Sequence, residues 1–324
     1  MLMNTFAALL AGFALNIIIG SPNGIFNPEN TVPRFAFAVE KRLRKHYQDS
    51  DEAHTMAGGV LLFLTLLVFV VPPAAVLLLV YGYAPILSFI LDCYLSWAAF
   101  SVIRTKNELS YISRSLRSGR LDLARTGMAK LTGTSCRDMS EDEIIRRSVE
   151  IAADCGADNA AGVLFFSAIF GGIGGYCFRV IALIRRTYSR RSDRTDGFGK
   201  ASRDLWAALD LIPAHIAALM MNFAASVFGL STENSFPTFT RDRKHVADPN
   251  LAPCRCVIAG VLGITLTARS FIKDGYITFL TVGKERHPCD HEDVSSANEI
   301  MYAATFYMLL LFGGIKLAVA LLLR

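Results

Sequence analysis

The sequence predicts an all-α, polytopic integral membrane protein with broken or re-entrant segments and a helical polar loop region. Three observations carry this reading. Of 324 residues, 52% are hydrophobic and only 19% charged, and mean hydropathy is +0.38, which suits a membrane domain better than a soluble one. Apolar runs recur at about 2–19, 57–81, 85–103, 160–184, 206–230 and 301–323, most of them long enough to cross ~30 Å of hydrocarbon, with a shorter run at 257–268. Basic residues cluster beside these runs, as the positive-inside rule expects of cytoplasmic loops.

The runs follow in order within one membrane domain covering 1–324. Leu2–Ile19 ends at the turn-forming cluster Gly20-Ser21-Pro22-Asn23-Gly24. It lacks the charged start and cleavage site of a secretory signal peptide. Ala57–Tyr81 carries Pro72-Pro73, which must kink or break a helix. Pro85–Ile103 returns the chain to its starting side, placing the basic loops 34–45 and 104–147 in the cytoplasm. Residues 104–159 read as a polar helical loop, with an irregular apolar stripe at Leu116, Leu121, Leu123 and Met128. Ser140 with Glu143 reads as a capping box that opens a helix carrying Glu150, Asp154 and Asp158. Residues four apart share a helix face, so these carboxylates form one stripe.

Ala160–Ile184 is long enough to cross the membrane but is interrupted by Gly171, Gly172, Gly174 and Gly175. A simple crossing would put the basic strip Arg185, Arg186, Arg190, Arg191, Arg194 and Lys200 on the outer side. A re-entrant or broken segment keeps both flanks cytoplasmic, and its irregular backbone must then be covered by protein or water. Trp206–Leu230 contains Asp210, Pro213 and His215, ionisable groups that at membrane depth face a cavity or a partner unless they lie at the interface. Val257–Ala268 is too short to span and reads as re-entrant or buried. Met301–Leu323 is the final membrane helix.

Composition also excludes function classes. A net charge of +5 is modest, and no nucleic-acid-binding module is present. Seven scattered cysteines, an odd number, argue against a disulfide scaffold. His287-x-Cys289-x-His291 has no matching second pair of metal ligands and contains Pro288, so it reads as a loop. Cys254-x-Cys256 is not a zinc spacing. Gly197-Phe198-Gly199-Lys200-Ala201-Ser202 lacks the first glycine of a P-loop and has Ala201 where the metal-binding hydroxyl stands, which argues against that kind of nucleotide site.

An ordered set of short motifs resembles the CobD/CbiB family, the adenosylcobinamide-phosphate synthases of cobalamin biosynthesis. Asn16-Ile17-Ile18-Ile19-Gly20-Ser21-Pro22 followed by Asn27-Pro28 resembles D-x-x-x-G-D-P … H-P. Leu116 to Arg125 resembles L-x-x-G-D-L-x-x-A-R, and Arg137-Asp138 resembles the end of G-R-D. Glu150, Asp154, Cys155 and Asp158 fall on E-T-V-A-E-N-x-x-D-G, and Leu164-Phe165-Phe166 on P-L-F-F. Ile212-Pro213-Ala214 falls on L-P-A-R. Arg241-Asp242, Pro249-Asn250 and Ala259-Gly260-Val261-Leu262-Gly263 resemble R-D … S-P-N … A-G-A-L-G.

The resemblance implies a bacterial inner-membrane ligase. It would join adenosylcobyric acid, a corrinoid, to an aminopropanol phosphate arm through an amide, using ATP and Mg²⁺. It implies Glu150, Asp154 and Asp158 as catalytic residues, with Asp154 and Asp158 as Mg²⁺ ligands. Arg137, Asp138, Arg241, Asp242, Asn250 and Asn27 are implied as substrate-binding residues. The chain departs from the pattern at Ser21 and Asn27 (Asp and His in the family), at Cys155 and Asn159 (Asn and Gly), at Ala182 and Arg185 (Asn and Asp), at Trp206 and Ala207 (an acidic pair), and at Arg255 (Glu). Reversing charge beside a divalent cation removes an attraction and adds a repulsion. A catalytically silent homologue that binds a corrinoid or a partner protein, in the manner of AmpE-like proteins, is the alternative expectation.

Overall fold

The computed structural model describes residues 2–22, 27–46, 50–189, 197–273 and 276–322. The order is α1 (Leu2–Ile19), α2 (Pro28–Leu43), α3 (Asp51–Phe69), α4 (Val71–Tyr81), α5 (Pro85–Ala99), α6 (Val102–Arg117), α7 (Leu121–Thr132) and α8 (Glu141–Cys155). A π-helical turn (Gly156–Ala161) leads into α9 (Gly162–Phe170) and α10 (Gly172–Ser189). Then come α11 (Lys200–Val227), α12 (Ser235–Asp242), α13 (Ala252–Leu262), strands β1 (Leu266–Lys273) and β2 (Tyr276–Val282), and α14 (His291–Leu322). Four stretches, Glu52–Tyr81, Pro85–Arg117, Gly197–Val227 and His291–Leu322, are long and apolar enough to cross a membrane. The membrane-helical fold class expected from sequence is therefore found, with one antiparallel hairpin added to it.

The chain divides into two compact units, neither continuous in sequence: 1–101, 162–211 and 311–324 in the first, 102–161 and 212–310 in the second. In the first, the paired prolines act as expected. Helix α3 stops at Phe69, and α4 restarts with Pro72 in its first turn, where a missing N–H costs no intrahelical bond. The glycine-interrupted run folds back on itself. Phe166 stacks on Phe178 with ring centroids 5.3 Å apart, and a Cβ on Gly174 would lie 2.5 Å from Phe166 O. Helices α9 and α10 are thus an antiparallel hairpin with Gly171 at its bend, held at φ +77°, a left-handed conformation that glycine adopts without penalty. This is the re-entrant alternative read from the glycines. Of the basic strip beyond it, Arg190, Arg191 and Arg194 lie outside the described residues, as do Asn23 and Gly24 of the first turn cluster.

A bend in an apolar segment exposes the N–H groups of one helix start and the carbonyls of one helix end, and these need partners. Two neighbouring helices supply them as opposite charges. Asp92 of α5, 4% exposed, accepts the Gly172 N–H at 2.7 Å. Lys316 of α14, 3% exposed, donates to Ser167 O at 2.9 Å, the carbonyl that also receives the Gly171 N–H. The acid meets the positive helix start and the base meets the negative helix end, as the helix dipole favours.

The second unit is built around α8. The capping box is present: Ser140 Oγ accepts the Glu143 N–H at 3.3 Å, and Glu143 Oε2 accepts the Ser140 N–H at 2.7 Å. The short run near 257–268 becomes α13, which is buried along almost its whole length. Of the apolar stripe expected on the polar helices, Leu116 and Met128 are buried, whereas Leu123 is 36% exposed. Strands β1 and β2 pair from Leu266↔Val282 to Lys273↔Tyr276. The sequence pattern gives no expectation of strands in this region.

The capped bend yields a stability prediction. Asp92→Ala leaves the Gly172 N–H without its acceptor and should cost about 1–3 kcal/mol, read as a lower unfolding temperature in detergent. Asp92→Asn, which keeps an acceptor oxygen, should lose less. Equal unfolding temperatures for parent and Asp92→Ala would show that this carboxylate does not hold the bend.

Candidate functional site

Helix α8 places Asp142, Arg146, Glu150 and Asp154 four residues apart, hence on one face. Each is engaged by an element of the second unit. Arg146 receives support from Asp142 at 2.7 Å and Glu285 at 3.0 Å, and it donates to the Thr265 carbonyl. Asp142, opposed by burial and aided by Glu285, shifts the Arg146 guanidinium upward from its ordinary pKa. Glu150 is 3% exposed. It takes the Arg147 Nη1 donor on one oxygen and the Thr267 N–H at 3.1 Å on the other, so the hairpin start is tied to α8. Asp154 accepts two parallel bonds from Arg255 of α13, Nε to Oδ1 and Nη2 to Oδ2, each 2.7 Å. Burial opposes the charge of Arg255; Asp154, with Glu150 and Asp248 adding to it, more than offsets that and holds the guanidinium protonated.

Asp158 lies one turn further on, in the π-helical turn, and is 6% exposed. A π turn bonds five residues back instead of four, so the four-residue repeat is interrupted there; such turns are frequent at functional sites. Asn159 Nδ2 donates to Cys155 Sγ at 3.2 Å, joining two of the positions at which this chain departs from the family pattern.

Arg241 and Asp242 form a second centre. Asp242, 2% exposed, accepts both Arg241 Nε at 2.6 Å and Nη2 at 2.5 Å, and the Gly283 N–H at 2.8 Å. Burial alone would raise its pKa, but Arg241, the Gly283 N–H and nearby His245 bring it below the ordinary carboxylate value. Asn250 is buried, and its backbone N–H donates to Asp248 Oδ1 at 3.3 Å. Arg137 lines an open cavity of about 760 Å³ with Asp122, Arg125, Thr134 and Cys136. Asp138 is exposed in the adjoining turn.

Asn27 belongs to the first unit and has a local structural role: its side chain caps α2 by accepting the Glu29 N–H at 2.9 Å. Asp210 is fully buried in α11, and His215 meets the Phe239 ring edge-on at 6.2 Å. His287 bonds the Leu262 and Pro288 carbonyls, and Cys254 and Cys256 are buried in α13. Arg147 and the Thr267 N–H are partners of this face that the sequence does not single out, and Arg255, noted there only as a departure from the family pattern, proves to be the partner of Asp154. The Asp142-Arg146-Glu150-Asp154 repeat was a visible signal for the face, but not for what it meets.

The Mg²⁺ that the resemblance implies can be tested against these donors. Both oxygens of Asp154 are occupied by Arg255, and both of Glu150 by Arg147 and a backbone N–H. Among the described residues no group of three or more His, Cys, Asp or Glu side chains is arranged to hold a metal ion. The face as built does not fit a Mg²⁺ ion held by Asp154.

Residues 9–301 match the family described as CobD/Cbib protein. The chain belongs to the CobD/CbiB family. Curated relatives named cobalamin biosynthesis protein CobD agree with this. The protein of Clostridium perfringens is 24% identical over 92% of this chain and 94% of its own length. That of Pelobacter propionicus is 27% identical over 98% and 95%, and that of Klebsiella pneumoniae 22% over 96% and 98%. No solved structure matches. Family and relatives support a role in cobalamin biosynthesis for this CobD/CbiB member, and its four long apolar helices suggest a membrane protein.

The Asp242 centre has a defined pH dependence. Its folded-state pKa is depressed below the unfolded value of about 3.9, so its stabilisation is present above about pH 4 and is lost as pH falls through the folded value. Thermal unfolding from pH 7 to pH 3 should therefore steepen for the parent below about pH 4. Asp242→Asn should unfold at a lower temperature at pH 7 and show a flatter acid limb. Identical acid limbs would remove Asp242 from this account.

Proposed function

We propose that this CobD/CbiB protein is a multi-pass enzyme of the bacterial plasma (inner) membrane that closes an amide bond between adenosylcobyric acid and an aminopropanol phosphate arm, with ATP as the energy source. The observation that carries the proposal is the face of α8 and α13, where Glu150, Asp154, Arg147 and Arg255 converge in a family member matched over nearly its full length. An acid–amine ligation needs the carboxyl activated, the amine deprotonated and the departing anion stabilised. In balanced form, ATP transfers a phosphoryl group to the carboxylate and leaves as ADP. The amine nitrogen then attacks the carbonyl carbon, its proton passes to a base, and phosphate departs.

The chain's own groups suit two of those tasks. Glu150, Asp154 and the neighbouring Asp158 favour an ammonium group beside them, and a carboxylate can accept its proton. Arg147 and Arg255 suit phosphoryl oxygens, and Arg137 with Arg125 offers a second cationic edge at the open cavity. Arg241, Asp242 and Asn250 are proposed to shape the same substrate region, and Asp138 the rim of the cavity. Mg²⁺ keeps several waters and is usually held partly by substrate phosphates; no step is assigned to a protein-held ion.

The departures at Ser21, Arg185 and Arg255 favour the second reading, a silent homologue that retains corrinoid or partner binding. The deciding experiment supplies the detergent-solubilised protein with adenosylcobyric acid, ATP, Mg²⁺ and aminopropanol phosphate and measures the amide by mass. We expect product, with kcat lowered about 10²-fold or more in Glu150→Gln under conditions where that variant is still folded. Absence of product from folded parent protein, with corrinoid still bound, would replace the enzyme by the binding homologue.

A further inference from the structure

The two carboxylates at the centre of the α8 face are balanced by two guanidiniums. Glu150 is matched by Arg147 and Asp154 by Arg255, so each of these two carboxylates already has a cationic partner in the place of a divalent ion. A buried ion pair is a poor source of stability, because desolvating both charges offsets their attraction. Arg255 is only 9% exposed, and a purely structural arginine would be expected to spend its donors inside the protein. Nε and Nη2 go to Asp154, which leaves Nη1 as a donor that this carboxylate does not use. The fork is held by a carboxylate through two of its donors, with the third left over. Arg147, 40% exposed on its side chain, stands on the same helix face, about two helical turns from Asp154.

We propose that Arg255 is a built-in substitute for a divalent cation: Asp154 grips the guanidinium as it would a metal, and the Nη1 donor that Asp154 leaves over binds a phosphoryl oxygen of the substrate. A guanidinium resembles the ion in carrying fixed positive charge toward phosphate oxygens. It differs in being covalently part of the chain and insensitive to chelators. The inference rests on reading this face as the substrate site, but its test reads binding and not ligation, so the two can fail separately.

The test uses the full chain in detergent with two probes. Mn²⁺ is titrated and the free ion followed by electron paramagnetic resonance. Inorganic phosphate is titrated against acetate at matched ionic strength, with unfolding temperature as readout. The parent should bind no stoichiometric Mn²⁺ and should be stabilised by phosphate but not by acetate. Arg255→Lys keeps the charge and loses the fork, and should weaken the phosphate response about tenfold or more. Arg255→Gln should lose the response and gain Mn²⁺ binding through the released carboxylates. If that variant does not fold, the neutral pair Arg255→Gln with Asp154→Asn should fold and lose the response. One Mn²⁺ bound by the parent and abolished by Asp154→Asn would overturn the proposal. So would a phosphate response equal in parent and variants.

Discussion

A backbone that bends inside an apolar segment must have its freed hydrogen-bonding groups paired, and the first unit is arranged around that requirement. The hairpin of α9 and α10 has a bend at Gly171 whose helix start and helix end are met by Asp92 and Lys316. The two charges come from helices far apart in sequence, so the bend ties α5 and the end of α14 to one place. Small residues are needed there for a geometric reason: Gly174 lies where a side chain would strike the Phe166 carbonyl. The run that looks like an ordinary membrane helix is therefore a turning point, and the chain enters it directly from the carboxylate helix through a π-helical turn.

The departures from the family pattern are not scattered losses. Arg185, at a position the family keeps acidic, is 4% exposed and stacks 3.7 Å from the ring of Trp206, which itself replaces an acidic residue. Arg255, at another such position, clasps Asp154. In both cases a site that loses a negative charge gains a guanidinium together with a partner for it. Asn27 is turned into a helix cap, and Ser21 donates to the Phe100 carbonyl at 3.4 Å.

Periodicity and composition read the helices, the proline break, the capping box and the re-entrant hairpin, because each rests on a local signal. The β1–β2 hairpin was missed although Asp274-Gly275 between two β-branched stretches is a recognised turn signal; the charges around it masked the alternation. Asp92 and Lys316 were overlooked within strongly apolar runs, where an ionisable residue is itself informative. What no local pattern could reveal was their partners, since backbone N–H and C=O groups carry no letter in the sequence. The carboxylate face was legible as a stripe. Its neutralisation was not, because Arg255 lies about a hundred residues away and only the packing of α13 on α8 brings it to Asp154.

If the ligation proposed above takes place at the paired face of α8 and α13, the corrinoid carboxylate must reach that face. Equilibrium dialysis of the detergent-solubilised full chain against adenosylcobyric acid, followed by the corrin's own visible absorbance, tests it most directly. The account predicts saturable binding that weakens strongly in Glu150→Gln and is unaltered by Leu123→Ser, a change at an exposed residue outside the proposed site. Binding that is absent in the folded parent, or indifferent to Glu150→Gln, would contradict it.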